Sequence, residues 1–268
     1  MSSDVEAVLQ FLDAQSLGQA PRFAGFAAPK VLSIMGTTSQ PGTRLDVSIH
    51  RLVGVEPGEV PAALRVRLAG PLRRAPGTGE CVTVFLARPE RFLGYQIKTR
   101  PLAAGAGIEE MLQPGPDGIT VRGHHVFTVR HSPYTLRFFE QIPFEDVAAL
   151  ASEVPMALVG VGETANLSPR FVFHHEIRGE RLALFHGDGL ALKTAMNLRS
   201  NRLETRLLLD LADQTGFVLR GAVEEIRQAD HAEGWAKVQA GFESGGWGPA
   251  ARVFRFVAES AEPIGPGG

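Results

Sequence analysis

Three residues in the second half of the chain, Arg170, Lys193 and Thr194, have side chains suited to binding a phosphate group. Residues 189–201 are rich in helix formers and are predicted to form a short helix that carries Lys193 and Thr194 near its start. Free backbone N–H groups and the positive end of the helix dipole favour an anion there. Arg170 lies on a neighbouring predicted strand and can bind a phosphate with two N–H groups. The alternative is that Arg170 and Lys193 are ordinary solvent-exposed charges.

The elements that must position these residues are short strands. From Ala28 onwards, runs rich in β-branched and aromatic residues alternate with Gly, Pro and charged turns. Strands are predicted at 31–36, 44–55, 63–68, 81–87, 93–102, 119–130, 135–142, 157–162, 170–177, 181–186, 204–212, 216–226 and 251–259. Helices are predicted at 3–15, 107–113, 144–153, 189–201 and 229–242. The predicted fold class is therefore mainly β with a few helices.

The two halves of the chain share one order of elements, which indicates an internal repeat. Adding 126 to the residue numbers of the strand at 31–36 gives the strand at 157–162 and aligns Gly36 with Gly162. We predict an N-terminal helix and lead-in at 1–27, a degenerate repeat at 28–143 and a second repeat at 144–268. The alternative is that any two β-rich halves align when gaps are free.

The second repeat carries a series of polar residues in a fixed order. Asn166, Ser168, Pro169 and Arg170 lie on one strand, followed by Lys193 and Thr194 and then by Asn197, Leu198 and Asn201. In this order the segment resembles the FMN-binding split barrels of the pyridoxamine-phosphate-oxidase superfamily. The resemblance covers residues 150–228. Residues 28–105 resemble the family only in a degenerate form. It implies two split β-barrel (Greek-key) repeats that pack on each other as a pseudo-dimer.

The resemblance implies that FMN is the cofactor and that it binds in the second half. The first half has only the Gly- and Pro-rich segment 70–79 where the second half has 187–201, so one competent site per chain is expected. The residue expected on the substrate side of the flavin is His175. The implied cofactor-binding residues are Arg170, Phe171, Val172, Phe173, His186, Gly187, Asp188, Lys193 and Thr194.

An FMN-dependent oxidoreductase of unknown substrate is the leading functional hypothesis, because a bound flavin itself carries hydride or electrons. The C-terminal segment 251–268 lacks the Arg-x-His sequence of authentic pyridoxamine-phosphate oxidases, so that activity is not expected. One alternative is a non-enzymatic flavin or haem binding protein that acts as a carrier or sensor. A further alternative is a degenerate barrel that binds nothing and serves in assembly.

Composition and charge exclude several other classes of protein. A net charge of −2 gives no excess of positive charge for binding nucleic acid or an anionic membrane. No apolar run is long enough for a membrane span. Cys81 is the single cysteine, which fits a reducing compartment and predicts a cytoplasmic protein. No metal site is expected, because the pairs His124–His125 and His174–His175 point to opposite faces of their predicted strands. The expected partners are a small-molecule substrate or electron donor, and two chains could pair as a homodimer.

Overall fold

The structure of the protein is a computed structural model that describes residues 31–37, 45–59, 63–88, 93–130, 156–162, 166–178, 181–189, 198–199, 202–210 and 214–265. The predicted helices at 3–15 and 144–153 and the predicted strand at 135–142 lie outside these residues. Of the predicted helix at 189–201, only Gly189 and residues 198–199 are described, and residues 198–199 are helical.

Antiparallel strands make up most of the described chain, so the prediction of a mainly β fold is confirmed. A short 3-10 helix covers Ile108–Glu110, and an α-helix, α1, covers Ala232–Ser244. In the described part of the chain, no helix has the length and apolar character needed to cross a membrane. The strands are β1 Val31–Thr37, β2 Asp46–Pro57, β3 Leu64–Ala69, β4 Cys81–Arg88, β5 Leu93–Lys98, β6 Leu112–Gly115, β7 Gly118–Gly123, β8 His125–Arg130, β9 Met156–Gly162, β10 Asn166–Arg170, β11 His174–Arg178, β12 Arg181–Asp188, β13 Leu203–Asp210, β14 Gly216–Ile226 and β15 Arg252–Ile264.

Two predicted elements differ from the structure in the first half. The predicted short helix at 107–113 is present only at its start, because the 3-10 helix ends at Glu110 and β6 then pairs with β7 in a tight hairpin that joins Gly115 to Gly118. Pro114 within this hairpin also disfavours a helix. The predicted strand at 119–130 is two strands, β7 and β8. They are separated by His124, whose backbone N–H donates a hydrogen bond to the carbonyl of Lys98 at 2.7 Å.

The predicted strand at 170–177 is also interrupted. Residues 171–173 separate β10 from β11, and the two strands have different partners. Strand β10 pairs with β1, whereas β11 forms a hairpin with β12. The interruption therefore lets one stretch of chain leave one neighbour and join another.

The strands form two antiparallel sheets that exchange one strand each. The first sheet has eight strands in the order β6-β7-β3-β2-β9-β4-β5-β8, and the second has seven in the order β10-β1-β13-β14-β15-β12-β11. Strand β1, from the beginning of the chain, thus lies between β10 and β13 in the second sheet. Strand β9 lies between β2 and β4 in the first sheet. Each sheet is continuous only because it contains a strand from the other half of the chain.

Five neighbouring strands follow a common order in the two sheets. The run β2-β9-β4-β5-β8 of the first sheet corresponds to β10-β1-β13-β14-β15 of the second. In this comparison β9 and β1 occupy the same position in the two sheets. They are also the two segments that the offset of 126 aligns in the sequence. Such an arrangement is what a repeat with exchanged first strands would produce. The duplication itself and the proposed domain boundaries stay predictions.

A shared apolar core lies between the two sheets. Hydrogen bonds also cross this interface, since Leu167 N–H donates to Gln96 Oε1 at 3.1 Å and Thr205 Oγ1 donates to the carbonyl of Leu45 at 2.7 Å. Burial of apolar side chains from both sheets in one core makes the stability of each sheet depend on the other. The members of this core are Leu45, Val47, Ile49, Cys81, Phe85, Leu167, Leu207, Leu209, Val218 and Ile264.

Helix α1 covers the outer face of the second sheet. Its Val238 and Phe242 pack against Phe185 and Val253. Gly187 permits this close packing, because a Cβ atom on Gly187 would come within 2.3 Å of Phe242 Cε2. The helix begins after His231, whose Nδ1 accepts a hydrogen bond from Gly234 N–H at 3.1 Å and caps the helix.

The interface core yields a stability prediction. Phe85→Ala should lower the free energy of unfolding by about 3–5 kcal/mol, because it leaves a cavity in the core that both sheets share. Unfolding in urea, followed by circular dichroism and by tryptophan fluorescence, should show one transition that shifts as a whole. The control is Val53→Ala at a side chain 50% exposed, which should change the stability by less than about 0.5 kcal/mol. Two separate transitions, of which only one shifts, would contradict the shared core.

Candidate functional site

The predicted phosphate ligand Arg170 lies at the end of β10 and is buried, with 8% of the residue exposed. Its backbone neighbour across the strand pair is Ser33 of β1, so an exchanged strand helps to position it. Burial lowers the pKa of Arg170, and the nearby carboxylates of Asp188 and Glu204 act in the opposite direction. Arg170 is therefore a buried cation balanced by two buried anions, and not a solvent-exposed charge.

Arg170 belongs to a group of five buried charged or polar side chains, here called the polar core. Arg206 donates through Nη2 to His186 Nδ1 at 2.9 Å and through Nε to Glu204 Oε2 at 3.2 Å. The guanidinium carbon of Arg206 also lies 4.3 Å from the centre of the Phe256 ring. The polar core consists of Arg170, His186, Asp188, Glu204 and Arg206.

The polar core exists because the second sheet is strongly curved. His186 is on β12 and Arg206 is on β13, and two strands, β15 and β14, separate them in the sheet. A direct contact of 2.9 Å between the two side chains requires the sheet to curl until β12 and β13 face each other. The Leu184, Leu208 and Phe254 side chains fill the same interior beside the polar core.

The hydrogen bond to Arg206 fixes the protonation state of His186. A guanidinium can only donate, so His186 Nδ1 accepts and the proton of the neutral ring is on Nε2. Burial, followed by the positive charges of Arg206 and Arg170, lowers the pKa of His186 well below 6.5. Burial likewise lowers the pKa of Arg206 to about 10 and raises the pKa of Glu204. The interior therefore holds a neutral histidine beside compensated charges.

The polar core is not fully satisfied by hydrogen bonds. Within the part of the chain that the structure describes, His186 Nε2, Glu204 Oε1 and Arg206 Nη1 are buried without a hydrogen-bond partner. Buried polar atoms of this kind are costly, and they are uncommon away from functional sites or internal water. His186, Glu204 and Arg206 are fully buried, so they can hold or orient other groups but do not reach a ligand at the surface.

The residues predicted to contact the flavin ring, 171–173, pack in two directions. Phe171 stacks on Trp247 with ring centres 5.3 Å apart, and Phe173 contacts Phe242 of α1 at 5.4 Å. Phe173 N–H already donates to the carbonyl of Phe185 at 3.0 Å. Val172 packs against the interior of the second sheet. All three of these residues at 171–173 are partly exposed, so a ligand could still reach this segment.

The other predicted site residues are distributed over several surroundings. His175 is partly exposed on β11, and its backbone lies opposite Leu184. His186 and Asp188 are buried in the polar core, whereas Gly187 between them faces α1. Lys193 and Thr194 lie outside the described residues. The structure thus brings Arg170, His186 and Asp188 together, and the contacts predicted with a flavin stay predictions.

Two charged members of the polar core, Glu204 and Arg206, were not among the predicted site residues. Their spacing of two along β13 places them on the same face as Leu208, which is buried. Two opposite charges at this spacing, on the same strand face as a buried leucine, are the signal that could have identified them. Among the described residues, no group of three or more His, Cys, Asp or Glu side chains is arranged to hold a metal ion.

Comparisons with known proteins leave the family of this chain unassigned. No protein-family profile matches the sequence, and no curated protein matches it. One solved structure was found, a protein from Clostridium acetobutylicum related to general stress protein 26 of B. subtilis and described as of the pyridoxinephosphate oxidase family. It is 17% identical with a TM-score of 0.30, and the alignment covers 38% of this chain and 72% of that chain. A likeness of this size carries no argument about function.

The neutral state of His186 predicts a loss of stability in mild acid. The pKa of His186 is lower in the folded protein than the usual 6.5, so below about pH 6.5 the unfolded chain binds more protons and unfolding becomes easier. His186→Gln should reduce the dependence of the unfolding free energy on pH by up to about 1.4 kcal/mol per pH unit in this window. Urea unfolding of the wild type and of His186→Gln at several values between pH 5 and pH 7.5 measures this dependence.

The matched control for this prediction is Leu184→Ala, which truncates a buried side chain on the same strand without removing a titratable group. Its unfolding free energy should run parallel to that of the wild type across the pH range. An unchanged pH dependence in His186→Gln would show that His186 is not held neutral by its surroundings.

The ion pair of Arg206 with Glu204 gives a second stability prediction. Arg206→Leu should lower the free energy of unfolding by about 3–5 kcal/mol, because it leaves the Glu204 carboxyl buried without its cation. The double variant Glu204→Leu/Arg206→Leu should recover much of this loss, as measured by urea unfolding at pH 7. A double variant with the additive loss of both single variants would contradict the coupling.

Proposed function

We propose that the second half of the chain binds FMN and that the bound flavin carries electrons or hydride for a substrate not yet known. Arg170, Lys193 and Thr194 would hold the phosphate, and the backbone of 171–172 would lie beside the ring. The proposal rests on the resemblance carried by residues 166–201 and on the surroundings of Arg170. An FMN cofactor would supply the redox chemistry, and the protein would supply position and charge.

The observation that carries the proposal is the buried guanidinium of Arg170 in the segment Asn166–Arg170. A guanidinium held in a fixed position binds a phosphate more specifically than a mobile surface charge does. The carboxylates of Asp188 and Glu204 favour the charged form of Arg170, as the direction of their effect on its pKa shows. Their role in the proposal is to hold Arg170, since a carboxylate in contact with the phosphate would repel it.

The fit of the described residues to FMN divides the predicted site into two groups. The partly exposed residues Phe171, Val172 and His175 could contact a ligand directly. The backbone N–H of Phe173 is already donated to Phe185, and Gly187 is covered by α1. We therefore assign His186, Gly187 and Asp188 to the support of the site and not to direct contact with the flavin.

A non-enzymatic flavin carrier is the second candidate function. The pKa values of His186 and Arg206 are strongly shifted, yet both side chains are fully buried and cannot reach a substrate. A site that binds FMN tightly while its polar core stays out of contact with a substrate would suit a carrier or sensor. Turnover with an electron donor distinguishes the two functions.

The phosphate site predicts that FMN and riboflavin respond differently to substitution. Arg170→Gln/Lys193→Ala should weaken FMN binding by about tenfold or more, because charged hydrogen bonds to the phosphate are lost. Binding of riboflavin, which has no phosphate, should change little. Both affinities are measured by quenching of flavin fluorescence on titration with protein.

The matched control is Arg181→Ala, an exposed arginine on β12, which should leave both affinities unchanged. Circular dichroism checks that each variant is folded before titration. Equal losses for FMN and riboflavin would contradict the phosphate assignment. If the wild type binds FMN, reduction of the flavin by NADH or NADPH with turnover against an acceptor supports the oxidoreductase, and binding without turnover supports the carrier.

A further inference from the structure

A cavity of about 250 Å³ lies at one end of the first sheet and is built entirely from first-half residues. Its walls come from the start of β3, the end of β7, the chain that follows β5, and the end of the short 3-10 helix. Leu64, Leu102 and Met111 form an apolar part of the lining. The cavity is smaller than the pockets of about 300–1,000 Å³ that hold drug-sized ligands, so it suits a small molecule.

The rest of the cavity lining includes three arginines and one histidine. Arg65, Arg100, Arg122 and His124 all border it. Arg65 on β3 and Arg122 on β7 are direct partners in the antiparallel pair, so their side chains leave the sheet on one face. Like charges directly opposite each other in a sheet are destabilising. An anion between them would remove the repulsion.

The carboxylates beside the cavity neutralise only one of its three arginines among the described residues. Glu59 forms an ion pair with Arg65. Glu110, the other acidic residue of the lining, is exposed, and among the described residues it forms no ion pair. Within the same residues, Arg100 and Arg122 are without a carboxylate partner. Two arginines at one cavity therefore keep their positive charge uncompensated.

Arg122 also has an unused hydrogen-bond donor. Its Nε atom is buried and has no hydrogen-bond partner in the described part of the chain. A buried N–H without a partner costs free energy that a bound acceptor would recover. The pKa of His124 is lowered first by burial and then by the positive charges of Arg100, His125 and Arg122. Arg100 and Arg122 thus both act electrostatically on a residue at the edge of the cavity.

We propose that this cavity binds a small organic molecule through a phosphate group. Arg100 and Arg122 would grip the phosphate oxygens, and the apolar part of the ligand would lie against Leu64, Leu102 and Met111. A dianionic phosphate suits two uncompensated arginines better than a single carboxylate, and a guanidinium matches its oxygens in a two-pronged geometry. The site is separate from the proposed flavin site and does not depend on it.

The experiment is isothermal titration of the full-length protein with phenyl phosphate, inorganic phosphate and benzoate at constant ionic strength. Phenyl phosphate should bind most tightly, because it alone satisfies both the cations and the apolar wall. Arg122→Gln should weaken its binding by about tenfold or more. Arg67→Ala is the control, since Arg67 lies on β3, the strand that pairs with β7, but forms an ion pair with Glu56 at 2.9 Å outside the cavity.

Three outcomes would overturn the proposal. The first is no heat of binding for either phosphate compound in the folded wild type. The second is binding of benzoate as tight as that of phenyl phosphate, which would assign the site to carboxylates. The third is an equal loss of phenyl phosphate binding in Arg122→Gln and Arg67→Ala. Such a result would show that the binding depends on the overall surface charge and not on Arg122 in the cavity. Circular dichroism of each variant checks that it is folded.

Discussion

The exchange of β1 and β9 between the two sheets is the constraint on which the rest of the structure depends. Strand β1 joins β10 to β13 in the second sheet, and β9 joins β2 to β4 in the first. Without these strands each sheet would have two unpaired edges inside it, with backbone N–H and carbonyl groups left unsatisfied. The exchange also brings the faces of the two sheets together and so creates the core that contains Phe85 and Leu207.

The polar core follows from the same constraint. Arg170 lies at the end of β10, which is held in the second sheet by β1, and Glu204 and Arg206 lie on β13 at the other side of β1. Buried charges are tolerated only when they are paired in a fixed geometry. The curl of the sheet provides that geometry by bringing His186 against Arg206. In the proposed function, this rigid arrangement holds Arg170 ready for a phosphate.

The sequence predicts some strands closely, such as β14, whose observed bounds Gly216–Ile226 match the prediction. The sequence predicts strand bounds poorly where the choice of the neighbouring strand decides where a strand begins or ends. The break at 171–173 separates two strands with different neighbours, and no local pattern reveals it. Three of the five members of the polar core were predicted, because Arg170, His186 and Asp188 belong to the resemblance, whereas Glu204 and Arg206 meet them only through long-range curvature. The strand exchange depends on pairing across more than 70 residues and leaves no local signal.

The central claim is that the second half holds FMN through its phosphate. The most direct measurement is the visible absorption spectrum of the full-length protein after incubation with excess FMN and removal of free ligand by gel filtration. The account predicts a retained flavin spectrum that corresponds to one FMN per chain, and little retention after the same treatment with riboflavin. A colourless folded protein, or equal retention of FMN and riboflavin, would contradict the claim.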